Sequence, residues 1–395
     1  MVERHRSEYD RAFECAAERA SRRLASILKE ADEAGELLVE LLRAPAAERE
    51  KLVRTDERFQ RLKICELLES ELRDLWSDDP ASVVELAELA VRIAERLDSD
   101  RYGEKLVEDA RALAWAHLGN SYRVTSDLRK AEEALRVAAE HHQRAGEDAH
   151  TEAEILSFMA SLRNSQGRFD EASDLLDRVI AIYRTGGDRH LEGRALILKG
   201  MAFGYDSRFK EAIRLIRSGL SKIDFLEEPR LMVVAQHNLI WYLNESGGHK
   251  EAQKALRKCR RLYLELGDRM HLVRLRWLEG KIARALGRLA EAEEALREAR
   301  DAFVERGIGF DAALVSLDLA MVYALRGESG EVKRLAAEMV PIFESRDVHQ
   351  EAIAALLIFK EAAEAERISL GLLGRIAAYL ERARRNPEMR FEPEG

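Results

Sequence analysis

DLRKAEEAL at residues 127–135 returns as RFDEASDLL at 168–176, RFKEAIRLI at 208–216, GHKEAQKAL at 248–256, RLAEAEEAL at 288–296 and ESGEVKRLA at 328–336. The recurrence puts Ala131, Ala172, Ala212, Ala252, Ala292 and Val332 in one phase, at steps of 41, 40, 40, 40 and 40 residues. A fixed period between roughly 20 and 50 residues marks a repeat architecture, in which each unit buries its apolar face only against its neighbours. Twelve residues before the phase positions stand Gly119, Ala160, Gly200, Ile240, Gly280 and Ala320, five of the six being small. Two small residues per unit let two helix backbones approach closely.

Each unit reads as a first helix, a short turn, a second helix and a turn onward. The inner turn is marked by Ser126, Gly167, Ser207, Gly247, Gly287 and Gly327, and the outer one by Gly146, Gly187, Gly267 and Gly307. Gly at these places supplies the left-handed residue that ends a helix, and Asp188 and Asp268 are set to cap the helix that follows.

Composition agrees with an all-helical chain. Of 395 residues only 6 are Pro, and 46% are hydrophobic against 35% charged, so the chain carries enough apolar material to fold. A net charge of −9 argues against a general nucleic-acid binder, which needs a basic excess to neutralise phosphates. No apolar run approaches the roughly 18 residues that span a bilayer, and the opening MVERHRSEYD (1–10) lacks the apolar core of a signal peptide, so the expected compartment is the cytoplasm. Cys15, Cys65 and Cys259 are far apart and sit on helical faces as small hydrophobes, which predicts neither disulfide nor zinc site. The sequence holds no GxxxxGK[ST], HExxH, CxxC or GxSxG motif, so no enzyme, cofactor or metal is expected. His141 and His142 near a helix end read as solvated side chains favoured by the helix dipole. The acids before the phase alanines (Glu171, Glu211, Glu251, Glu291, Glu331) read as a solvated face.

The registers resemble the tetratricopeptide repeat. In the first unit Trp115, Leu118, Gly119, Tyr122, Ala131 and Ala138 fall on that family's signature positions in order. Lys199 and Glu279 stand where the family prefers Leu, and the period exceeds the family's usual 34 or so residues. GGDRHLEGRALILKG (186–200) and LGDRMHLVRLRWLEG (266–280) look like the longer variety found in bacterial signalling regulators and polarity adaptors. The resemblance implies an all-α, right-handed superhelical solenoid of tandem antiparallel helix pairs with a concave inner groove. Expected along the chain are an N-terminal helical extension (1–55), a degenerate pair and lead-in helix (56–111), six repeats (112–350, starting near 112, 153, 193, 233, 273 and 313), a capping pair (351–385) and a flexible tail (386–395).

In the extension, Phe13, Ala17, Ala20, Leu24 and Leu28 outline an amphipathic helix over 7–43, either a cap on the array or a surface for a second copy. Two helices are expected over 56–76 and 80–98, and a closing pair over 348–366 and 368–385.

The family rule that first helices line the groove gives candidate partner-binding residues: Asn120, Arg123, Asn164, Arg194, His237, Asn238, Trp241, Asn244, Arg274, Trp277, Lys281 and Arg284. Asn120 matches one residue of the family's carboxylate clamp, while Ala116 stands where that clamp has Lys. Two tryptophans among forked donors have the composition of an interface hot spot, suited to an acidic segment or a free C-terminal carboxylate. The alternative is that Trp241 and Trp277 pack between helices as core. The function expected is a non-enzymatic scaffold or adaptor holding a protein or peptide in its groove; the alternative is a peptide- or ligand-responsive regulator of a separate effector.

Overall fold

The computed structural model describes residues 29–75, 80–146, 148–224, 227–266, 269–344, 350–364 and 368–383. Phe13, Cys15, Ala17, Ala20, Leu24, Leu28 and the tail over 386–395 lie outside them. Among the described residues there is no strand, and no helix is long and apolar enough to cross a membrane. The chain divides into two compact units, 1–162 and 163–395.

The first unit holds α1 (29–43), α2 (Ala46–Thr55), α3 (Leu62–Leu75), α4 (Pro80–Ala94), the single turn α5 (Ser99–Tyr102), α6 (Glu104–Val124), α7 (Leu128–Ala145) and most of α8 (Ala149–Ser165). α1 ends before Pro45 as expected, and Pro45 stands at the N-cap of a second helix. Two boundaries differ. The helix expected over 80–98 stops at Ala94, because the Asp98 carboxylate accepts from the backbone N–H groups of Asp100 and Arg101 and starts α5. Gly103, with φ of 93°, then redirects the chain, and α6 begins at Glu104 and runs through the first repeat's expected start near 112.

The second unit continues with α9 (Phe169–Gly186), α10 (Arg189–Tyr205), α11 (Phe209–Leu220), α12 (Pro229–Glu245), α13 (His249–Leu266), α14 (Arg269–Ala285), α15 (Leu289–Glu305), α16 (Gly309–Arg326), α17 (Ser329–Glu344), α18 (Gln350–Glu364) and α19 (Leu370–Ala383). Consecutive helices pack as pairs. The first helices also pack in series, α10 on α12, α12 on α14 and α14 on α16, and α19 returns onto α16.

The repeat phase has a direct steric meaning. A Cβ added at Gly119 or Gly280 would stand 2.7 Å from Cγ of Leu135 or Leu296, and one at Gly200 would stand 2.6 Å from Cγ1 of Ile216 and 3.1 Å from the Ala212 carbonyl. Each contact joins a first helix to the residue 16 positions later on the second helix, and Leu135, Ile216 and Leu296 are fully buried. Ala131, Ala212 and Ala292 have no exposed surface. In these three units the backbones thus come close at one point, and the larger apolar residues interdigitate around it.

All six inner-turn positions adopt left-handed backbone, φ running from 61° at Ser207 and 66° at Ser126 to 86° at Gly247. Ser at two of them carries a Cβ into a region that costs an L-residue about 1–2 kcal/mol. The departures from the family pattern are satisfied by charge. Lys199 reaches Asp177 at 2.5 Å, and Glu279 accepts from Arg276 at 3.0 Å. His141 is a correction: it is packed, not solvated, with Nδ1 2.9 Å from Glu108, which also accepts from Arg111 and Arg144. Although burial opposes it, those hydrogen bonds hold the Glu108 carboxyl at about 2.

Replacing Gly200 by Ala raises helix propensity by about 1 kcal/mol, yet forces the pair apart at a cost of about 1–3 kcal/mol. Urea unfolding should therefore show Gly200→Ala less stable than wild type. Relieving the turn strain has the opposite sign: Ser126→Gly should gain about 0.5–1 kcal/mol in the same measurement, and Ser126→Ala should not.

Candidate functional site

A cavity of about 540 Å³ opens in the second unit, and the repeat builds it. Its walls come from equivalent positions of successive first helices: Val234, Arg274 and Leu314 stand 40 residues apart, as do His237 and Trp277, Met201 and Trp241, Tyr205 and Glu245, and His271 and Asp311. Packing α10, α12, α14 and α16 side by side turns one helical register into one wall. α19 adds Ala378 and Glu381.

The aromatic part is an edge-to-face arrangement. The Trp241 and Trp277 rings lie 5.1 Å apart at 87°, and Trp277 meets Phe303 at 6.0 Å and 83°. The structure separates the two tryptophans. Trp277 is 4% exposed and belongs to the core, where its indole N–H donates to Asp318 at 2.8 Å; Trp241 is half-buried at the cavity wall.

Charges are arranged in pairs. The Lys281 ammonium, itself 5% exposed, sits 4.0 Å from the Trp241 ring centroid, 3.0 Å from Glu245 and 3.5 Å from Glu381. Burial alone would lower its pKa, but Asp318, Glu381 and Glu245 together hold it above the ordinary lysine value. Arg284 pairs with Asp318 at 3.1 Å, and Arg274 faces Asp311 at 3.8 Å. Glu381, sharing Lys281 with Glu245, is raised by burial and by the neighbouring Glu245 and Asp318 charges, which outweigh Lys281. The His237 ring nitrogen Nδ1 lies 3.2 Å from the Tyr263 hydroxyl. Burial first, then Arg274, His271 and Lys281, push this imidazole down to about 3, so it is neutral at pH 7.

Of the twelve candidates, His237, Asn238, Trp241, Arg274 and Trp277 come together on the cavity, with Lys281 and Arg284 in the charged layer beside them. The others do not join. Asn120 and Arg123 are in the first unit, bonded to each other at 2.9 Å. Asn164 is half-buried on α8, Arg194 pairs with Glu228 at 3.2 Å, and Asn244 is buried against His249 at 3.0 Å. The sequence reading left Arg274, Lys281 and Arg284 open to an acidic ligand; in the structure each faces a carboxylate. It also missed Glu245, His271, Asp311 and Glu381. The first three stand in registers the repeat repeats, whereas Glu381 gives no local sign, arriving from a helix 100 residues beyond Lys281. Among the described residues no group of His, Cys, Asp and Glu has metal-binding geometry.

The tetratricopeptide repeat family profile matches residues 110–185 and 151–221. The chain carries tetratricopeptide repeats. Solved structures agree in fold. Aspartyl phosphate phosphatase F from Bacillus subtilis is 15% identical, with 80% of this chain and 81% of that chain covered at a TM-score of 0.54. A signal transduction ATPase with a tetratricopeptide repeat sensor from Pyrococcus horikoshii is 15% identical over 90% of this chain and 52% of that one, with a TM-score of 0.59. The apo form of the quorum sensor NprR from B. thuringiensis is 14% identical over 90% and 99%, with a TM-score of 0.51. No curated protein matches the sequence. The repeats thus account for the all-α helix-pair fold, and the matched segment ends at residue 221, before most of the residues that line the cavity.

Because the His237 value falls from an unfolded 6.5 or so to about 3, the unfolded chain binds the extra proton between those limits and stability is lost as pH drops through that window. Urea unfolding at pH 7 and pH 5 should show a loss of up to about 2 kcal/mol in wild type from this group. His237→Gln should remove that portion of the loss.

Proposed function

We propose that the cavity on α10, α12, α14 and α16 is where this chain holds a short peptide or an extended segment of a partner protein, without catalysing a reaction on it. The observation that carries the reading is the wall itself: a concave space within the roughly 300–1,000 Å³ range of ligand sites, lined by aromatic area with a few fixed polar groups. Its ionisable side chains are committed to ion pairs that set orientation. His237 is neutral and held by Tyr263, an arrangement for positioning a ligand. The paired cations fit a segment that offers both donors and acceptors, so that an entering carboxylate exchanges with Glu381 or Asp311 and an entering ammonium joins them.

A second reading, a ligand-responsive regulator, is favoured by the Lys281–Glu381 contact. It ties α19 to the charged layer beside Trp241, so a ligand competing for Lys281 would loosen the C-terminal helix of the unit. Two of the similar structures are described as a quorum sensor and as a protein with a tetratricopeptide repeat sensor, in keeping with such a role.

The experiment is selection of five- to seven-residue peptides from a displayed library against the full chain, followed by calorimetry. Trp241→Ala should weaken the selected peptides at least tenfold, about 1.4 kcal/mol, because it removes wall area, while an unchanged helical signal in circular dichroism shows that the helix packing behind it survives. Trp277 is unsuitable for this purpose, since its ring is core and its indole satisfies Asp318. Peptides that bind Trp241→Ala as well as wild type would rule out the cavity. X-ray scattering with and without a selected peptide separates the two readings: an unchanged profile supports a holding module, and a changed one supports the regulator.

A further inference from the structure

The second helices of the pairs carry a charge pattern unrelated to the cavity. Three exposed positions near the start of each, spaced four and three residues apart, are Asp170, Asp174 and Asp177 on α9. Forty residues on they become Lys210, Arg214 and Arg217 on α11, and after another forty Lys250, Lys254 and Arg257 on α13. α13 continues with exposed Lys258, Arg260 and Arg261, where the equivalent register of α15 has Glu298 and Asp301 at two of the three positions. Two basic helices are therefore flanked by acidic residues on either side, in a chain of net charge −9.

The acidic row is locally satisfied: Asp170 pairs with Arg208 at 3.0 Å and Asp177 with Lys199. The basic rows are satisfied only in part: Arg217 pairs with Glu251, Arg260 meets Glu279 at 3.7 Å and Arg261 pairs with Glu265 at 2.6 Å. Among the described residues the side chains of Lys210, Arg214, Lys250, Lys254, Arg257 and Lys258 make no hydrogen bond or ion pair. The Arg217–Glu251 pair brings α11 and α13 together, and Glu211 and Glu251 offset part of the band, but the six unpaired cations outnumber these carboxylates and leave a net positive face whose reach in solution is about one Debye length.

We infer that the exposed face of α11 and α13 is a docking surface for an acidic polypeptide helix of a partner protein, bearing carboxylates at four- and three-residue spacing. The width of the band selects this occupant. A helix about 10–12 Å across covers two neighbouring helices, and the stripe from Lys250 to Lys258 runs about 12 Å along α13. A DNA duplex or a membrane plane extends further, and would press phosphates against the carboxylates of α9 and α15 as well. No aromatic ring is exposed on either helix to stack a base. The acidic borders reject a partner that slips sideways by one helix, giving the surface register as well as attraction.

The test uses the full chain and a fluorescein-labelled 18-residue helical peptide of Glu and Ala, with Glu at the stated spacing, read by anisotropy at 50 and 300 mM NaCl. Saturable binding at 50 mM that weakens with salt is expected. Lys254→Glu/Arg257→Glu should bind at least tenfold more weakly and Lys254→Gln/Arg257→Gln by an intermediate factor. Lys51→Glu/Arg54→Glu on α2, matched in charge change, should stay within twofold of wild type, and circular dichroism should give the same helical signal for all four proteins. The proposal is overturned by absence of saturable binding, by equal loss in the α2 control, or by 18-base-pair duplex DNA or phosphatidylserine vesicles displacing the peptide more tightly through the same residues.

Discussion

The contact on which the structure depends is the meeting of a small residue in a first helix with the buried aliphatic residue 16 positions later in the second. Gly200 over Ile216 fixes how near two backbones come, and Gly119 over Leu135 and Gly280 over Leu296 repeat the same distance. Dispersion falls steeply with separation, so a pair held this close gains packing along its length that a wider pair forfeits. Because the spacing recurs, the first helices of the second unit present equal registers to one another, and a cavity wall follows without any further device.

That dependence explains what could be read from residues alone. The phase of Ala131 to Val332, the small positions and the inner turns are local signals, and the turn positions carry the left-handed backbone that their glycines imply. Ser126 and Ser207 were legible only because the repeat aligns them with glycines; on their own they are ordinary serines. The wall of the cavity was half legible, since His237, Trp241, Arg274 and Trp277 share registers that the repeat exposes. Pairing was not. Nothing near Lys281 announces that Glu381 will reach it, and nothing near His141 announces Glu108, because both partners arrive through packing of distant helices. Helix boundaries moved for a similar reason: the Asp98 cap and the turn at Gly103 outrank the apolar periodicity that joins 80–98 into one segment.

Charge has different roles on the two faces of the second unit. Around the cavity, cations and carboxylates neutralise one another at short range, which fixes side chains in a partly dry space beside the aromatic surface of Trp241. On α11 and α13 the cations remain in water, where they act at longer range and respond to ionic strength. The first arrangement favours fit, the second encounter.

The shared 40-residue step also sets the quantum in which such a chain tolerates rearrangement. Gain or loss of one whole unit in the lineage preserves the contacts within each remaining helix pair, because a pair packs chiefly on its neighbours. The same event between α12 and α15 would separate His237 from Trp277 and Trp241 from Lys281, dispersing a cavity whose individual residues were all retained. The part of the chain most easily copied as fold is thus the part least easily copied as a cavity, and descendants with altered repeat number would keep their helix pairs while losing this wall.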